Sequence, residues 1–559
     1  MKPVARPRHL LAVLIFVAVS GVYANLAMVD GRLSKSQVNI ATAAVKRYQP
    51  RLFQRDPVFG QVDGVELWRL HTPAYQGMLE LSLVPSRYKD PTLPFRVMAG
   101  VLAMIYLCGM YALVYHQCRD WSSSAFVAVL SSTVIEVLGP STWGVGSLAS
   151  ITPPTLVLAV TPLIVLAYLR YQRQWRLLLV FAFIGLMGNL DLAAAMNLTV
   201  ALLLTYAASR RFGRSCWLMA LGCGACSVLA ALPYACYYFA LRPGAPADAH
   251  VSTEAFSLAF GSLLYPDALK SLLDPRLLGR LLVLVVPALA VLSRVERFRA
   301  RYLKFWVLLL VAAAAVTIGL HWLSQAIGTW RGTGPPIIDF IGASHLVMLP
   351  LYVLFAQGLS NVFRLIRGHH ILLRWGCAAV IAAWMIPSDN LRVARHAVAE
   401  VATSFLDEDA MPRYIKRHRR QRAERAELTA IAKWAGQADN TDQDAVFVTD
   451  RVRFRMLARR AVLATRDDLR YIYYLVPWRL SDWIERVNDQ DALLHPPQAG
   501  GADPERLKSF LSRQEHLKDA PEFYVILETN VAPEDLGVLK QIDSENWGEH
   551  YRLYRCQVK

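Results

Sequence analysis

Long apolar blocks alternate with short basic connections along this chain, and that alternation limits what it can fold into. The first block runs from Leu10 to Val29. About 20 apolar residues in a helix cross a hydrocarbon core of roughly 30 Å. Further blocks follow at Phe95–Tyr115, Ala125–Leu138, Pro153–Tyr168, Leu177–Leu190, Ala193–Ala207 and Cys216–Phe239, then at Leu277–Leu292, Phe305–Leu323, Phe340–Val362 and Trp375–Ile386. Backbone polar groups have no water to bond inside a bilayer, so such blocks must be helices. The expectation is a polytopic α-helical membrane protein of about eleven spans, with a C-terminal soluble α/β domain. Only 18% of the residues are charged, against about 25% in soluble domains.

The net charge of +17 has two readings, nucleic acid or membrane topology. Topology is favoured, because the cations gather in alternate connections: Arg119, then Arg170, Arg173 and Arg176, then Arg210, Arg211 and Arg214. They recur at Arg294–Lys304 and at Arg364, Arg367 and Arg374. Cytoplasmic loops carry this excess, and no nucleic-acid motif accompanies it. The basic N-terminus then lies inside and the loop 30–94 outside, whether or not the Ala24–Ala27 stretch serves as a cleavage site. With eleven spans the C-terminal domain is expected outside the cytoplasm, while Arg392 and Arg395, after the last block, argue for an inner C-terminus. Around Met187–Met196 only Asn189 and Asp191 interrupt the apolar character, which suits one long helix or a tight pair. Of the eight cysteines, Cys223 and Cys226 form a CxxC inside an apolar block, where small-residue helix packing explains it better than metal or redox chemistry.

From Pro387 the composition changes. Residues 1–387 form the membrane part, 388–426 a basic linker containing Lys416-Arg417-His418-Arg419-Arg420, and 427–559 an α/β domain. In that domain Glu427–Gly436 reads as a helix, while Ala445–Thr449, Ala461–Ala464 and Phe523–Leu527 read as strands. Tyr551–Arg555 alternates as a final edge strand. The linker cations suit anionic headgroups or simple solvation.

The loop 30–94 is held at the bilayer surface by the blocks on either side. It contains Arg51-Leu52-Phe53-Gln54-Arg55-Asp56-Pro57-Val58-Phe59-Gly60. Asp56 is placed to take a proton from an acceptor or to help hold a divalent cation; the plainer alternative is an Asp that makes a turn before Pro57. Asp63 and Glu66 are possible second acids or solvated charges. His71 precedes an apolar stretch to Val84, which predicts a helix lying in the interface. Asp191 is a further possible second acid, since an acid so close to the hydrocarbon is costly and usually functional; the alternative is that it caps the next helix. Arg331 in an outer loop and His345 in the following block are candidates to bind a phosphate; a solvated Arg and an interhelical polar contact are their alternatives.

A many-span half, an acid in the first outer loop and an α/β domain after the last span resemble the GT-C superfamily, integral membrane glycosyltransferases that use polyprenyl-phosphate-linked sugars. Arg55-Asp56-Pro57-Val58-Phe59 resembles the acid motif of bacterial members. The segments Ala432-Lys433-Trp434, Asp444–Phe447 and Phe454–Arg460 look like the outer domain of bacterial relatives. Many members have two adjacent acids here, whereas this chain has Arg55 before Asp56. The resemblance implies transfer of a sugar at the outer face of a bacterial cytoplasmic membrane, with Asp56 as base or metal ligand and Arg331, His345 and His71 near the donor phosphate. Its partners would be a lipid-linked donor and membrane lipids, with no nucleic acid. The rival readings are a transporter or flippase, which would place acids at the bilayer midplane in repeated halves, and a non-catalytic envelope assembly protein.

Overall fold

The computed structural model describes residues 6–26, 33, 35–60, 66–86, 90–132, 151–210, 214–242, 253–260, 300–331, 334–335, 346–365, 398–399, 401, 411–495, 509–510, 522–529 and 539–556. In chain order the helices are α1 (Arg6–Leu26), α2 (Lys35–Tyr48), α3 (Pro73–Leu83), α4 (Leu93–Cys118), α5 (Trp121–Ser132), α6 (Pro153–Tyr171), α7 (Leu177–Gly188) and α8 (Leu192–Ser209). They continue with α9 (Arg214–Leu241), α10 (Thr253–Phe260), α11 (Ala300–Trp330), α12 (Met348–Leu365), α13 (Arg413–Ala435), α14 (Val452–Ala458), α15 (Leu469–Leu475) and α16 (Leu480–Leu494). The strands are β1 (Val446–Val448), β2 (Ala461–Val462), β3 (Phe523–Glu528), β4 (Leu539–Ile542) and β5 (Tyr551–Cys556).

Among the described residues six helices are long and apolar enough to cross a membrane: α1, α4, α6, α8, α9 and α11. That is fewer than the eleven or so expected. α7 is apolar but shorter, α5 and α12 cover parts of two further blocks, and the blocks 277–292 and 375–386 lie outside the described residues. Local sequence sets the helix starts. Proline opens α3, α4 and α6, and Thr152 with Thr155 forms a capping box on α6; proline fits the first turn because its missing N–H has no helical partner there. Leu218, Leu221, Val228 and Leu229 of α9 are exposed, as side chains facing lipid would be.

The tight region after Leu177 is a helical hairpin. Asp191 caps α8, its Oδ1 accepting the Ala194 N–H at 2.7 Å. Asn189 reaches into α9 beside Pro233. Its amide donates to the Ala230 carbonyl at 2.8 Å and accepts the Tyr234 N–H at 2.9 Å, so it bridges a break in the helical ladder. Gly185 allows α7 and α9 to touch, since a Cβ there would collide with the Ser227 backbone.

Two ends of the helix bundle can be told apart. At one end, His9 of α1 meets Tyr111 of α4 (2.5 Å), and Arg210 donates to the Gln172 carbonyl. This is the arginine-bearing end. At the other, Tyr75 of α3 bonds the Ile151 carbonyl before α6, while Tyr234 and Tyr237 of α9 bond the carbonyls of Leu70 and Arg69. Tyr238 bonds the Tyr474 carbonyl, and Tyr473 bonds that of Pro335 beyond α11. The loop between α1 and α4 and the C-terminal domain therefore pack together on the end opposite those arginines.

The C-terminal sheet has five strands in the order β2-β1-β3-β5-β4. β2, β1 and β3 are parallel, and β5 runs antiparallel between β3 and β4. The sheet is therefore mixed. The last strand is not an edge, however: β5 pairs on both sides, and the short, more exposed β4 takes the edge. The basic stretch is also not all linker, because α13 begins at Arg413 and continues through the helix expected at Glu427–Gly436.

Candidate functional site

Asp56 is buried, with 1% of its surface exposed. The loop around it is a tight turn. Phe53 adopts φ 60°, a left-handed conformation uncommon for a bulky residue, and the Asp56 N–H bonds its carbonyl at 3.1 Å. Gly60 closes the turn by donating to the Asp56 carbonyl at 2.6 Å. A Cβ at Gly60 would strike the carbonyl oxygens of Gln54 and Asp56, so the turn requires glycine.

The Asp56 carboxylate takes four donors. Oδ1 accepts the N–H groups of Val58 and Phe59, each at 3.0 Å, while Oδ2 accepts Nε of Arg455 at 2.6 Å and the N–H of Val462 at 3.0 Å. Four is the number of acceptor positions a carboxylate has. Arg455 is itself fully buried, and its NH1 and NH2 form a fork onto Asp468 at 2.9 Å each. NH1 also reaches Asn39 of α2 at 3.5 Å, and the guanidinium lies 5.0 Å from the centroid of the Phe59 ring. Asp468 Oδ2 further accepts the N–H and hydroxyl of Thr465. α2, the Asp56 turn, α14, β2 and the 465–468 turn thus meet at one guanidinium. Burial pushes the Asp56 carboxyl above its ordinary value; Arg455 opposes this, Asp468 adds to it, and the Val462 and Phe59 amides oppose it.

Helix α15 organises the surroundings. Tyr471 lies against Phe59 and bonds His71 Nε2 at 2.6 Å. Burial raises the Tyr471 hydroxyl well above its ordinary value and lowers His71 to about 4. The imidazole and the hydroxyl share one hydrogen bond, whose direction follows the ring tautomer. Tyr473 packs on Phe256 and Phe260 of α10, with centroids 5.2 Å apart in each case. This tyrosine-rich helix was not singled out in the sequence. Its run Tyr471-Ile472-Tyr473-Tyr474 is a signal that it meets several partners, since buried tyrosines keep a hydroxyl to place.

The candidates read from sequence do not converge on one open cavity. Asp56 and His71 flank Tyr471. Glu66 pairs with Arg69, and its charge and that of Asp56 both act on Lys46. Asp191 caps a helix. Arg331 is exposed at the end of α11, its N–H bonded to the Ile327 carbonyl. Asp63 and His345 lie outside the described residues. With both its oxygens occupied by N–H donors, Asp56 as placed has no position left for a metal. Glu427, Glu549 and His550 have metal-like spacing. Glu427 instead accepts the N–H groups of Gly548, His550 and Tyr551 and the ring of His550, a donor set that suits a bare carboxylate better than an ion.

Two open clefts adjoin this region. One, of about 800 Å³, lies on the seam between Arg51 of the turn and Arg459 and Arg460 of the domain. The other, of about 810 Å³, lies between α13, α14 and the start of α4. No protein-family model matches this chain, and no curated protein matches it.

Proposed function

We propose that the protein transfers a sugar from a polyprenyl-phosphate-linked donor to an acceptor at the outer face of a bacterial cytoplasmic membrane, as a GT-C type enzyme. The observation that supports this is the packing of the first loop and the C-terminal domain into one unit on the bundle end away from the arginine connections. By the positive-inside rule that unit is extracytoplasmic. The reactive bond of a lipid-linked donor stays at the headgroup level, and a unit fixed at that level can act on it.

In this reading Asp56 positions the loop, and Glu66 and Asp63, the acids that follow it most closely in sequence, serve as base. A second reading, a non-catalytic assembly protein that binds such a lipid, is favoured by the saturation of Asp56. The test is purified full-length protein in proteoliposomes containing a radiolabelled polyprenyl-phosphate sugar, with an envelope extract as acceptor. Transfer that is lost in Glu66→Gln or Asp63→Asn at unchanged thermal stability supports the enzyme. Binding of the lipid with no turnover by the unaltered protein would favour the second reading.

A further inference from the structure

The groove beside α13 has a composition that the proposed reaction does not account for. Arg422, Arg425 and Lys433 of α13 line one wall, and Arg453 of α14 adds a fourth cation. Positions 422, 425, 429 and 433 recur at helical spacing, so they share one face of α13. Arg453 also donates to the Leu33 carbonyl at 3.4 Å. Trp434 and Trp547 meet there edge to face, with ring centroids 6.0 Å apart at 68°. Thr92, at the start of the candidate span α4, lines the same groove.

We propose that this groove binds the phosphate headgroup of a membrane lipid. Guanidinium groups match phosphate oxygens in a planar, two-point arrangement. Cations close to a membrane surface attract anionic headgroups, and tryptophan favours the interfacial level. Thr92 fixes the height: a groove that includes the first residues of a span opens where headgroups lie. The volume, about 810 Å³, falls in the range of pockets that enclose a small organic ligand and leaves room for a sugar beside the phosphate, its face against a tryptophan. The site rests on the membrane placement in the proposed function and is independent of the transfer reaction.

The test is native mass spectrometry and tryptophan fluorescence on full-length protein in phosphatidylcholine nanodiscs. Three probes are compared: a short-chain polyprenyl phosphate, phosphatidylglycerol and inorganic phosphate. The expected result is saturable binding of a lipid phosphate, weakened about tenfold or more in Arg422→Gln/Lys433→Gln and by added salt. Both substituted side chains are on the exposed side of α13, and circular dichroism of the variant checks the fold. Preference for the polyprenyl lipid identifies it as the source; equal binding of phosphatidylglycerol identifies bulk lipid, and both support the site. Equal affinity of the double variant, or inorganic phosphate binding as tightly as either lipid, overturns it. Binding retained in a protein that never transfers sugar leaves the groove standing and removes the transferase.

Discussion

Asp56 and Arg455 form a centre whose energetics can be ordered residue by residue. Removing Asp56 leaves Arg455 still paired with Asp468 but orphans the N–H groups of Val58, Phe59 and Val462. Each buried unpaired donor costs about 1–3 kcal/mol, so Asp56→Ala is expected to destabilise by about 3–5 kcal/mol, the size of a broken buried pair. Asp56→Asn should not rescue it, since an amide NH₂ would face donors. Arg455→Met should be worse, because it leaves two buried carboxylates facing each other. Thermal unfolding of the detergent-solubilised protein measures all three. If Asp56→Asn removes activity at an unchanged unfolding temperature, Asp56 is a reacting group and the structural assignment is wrong. Glu427 gives a pH prediction. Burial raises its carboxyl, but the His550 ring and the His550, Tyr551 and Gly548 amides outweigh this and hold it below the ordinary 4.5. A lowered folded value contributes stability that is fully present above 4.5 and is lost as pH falls through that lowered value. Glu427→Gln should flatten the acid limb of the unfolding curve.

At the scale of elements, α7 and α9 depend on close approach. Gly185→Leu places a branched side chain where even a Cβ strikes the Ser227 backbone. It should separate the two helices, with lower yield of folded protein on size-exclusion chromatography. Asn189→Leu leaves the Tyr234 N–H and Ala230 carbonyl without the partner they now share. The hairpin was legible as two alternatives, and the capping of Asp191 was one of the readings of that acid, because a cap is a local motif. The strands of the parallel core were legible from runs such as Phe523–Leu527. The position of β5 was not, since alternation identifies a half-buried strand without saying whether one neighbour or two pair with it. The start of α13 is not legible, because its first turns are so basic that they read as solvated linker. The Asp56–Arg455 pair was beyond reach for a different reason. The two residues lie 399 positions apart, and a single sequence has nothing to couple them.

In the whole molecule the loop after α1 and the C-terminal domain form one body at one end of the helix bundle. A seam of buried charge, the Tyr471–His71 bond and the α9 tyrosines hold it there, so the body should resist separation. A protease cut placed between 388 and 410 in the intact protein should leave the domain fragment attached to the membrane part in detergent, and Arg455→Met should release it. The proposed function turns on the side of the membrane on which this body lies. The direct measurement is a pair of fusions after Lys559 in a bacterial host, one to alkaline phosphatase and one to green fluorescent protein. An active phosphatase and a dark fluorescent fusion are expected. A fluorescent fusion with inactive phosphatase would place the domain, and the Asp56 turn packed against it, in the cytoplasm, and would contradict a transferase of the outer face.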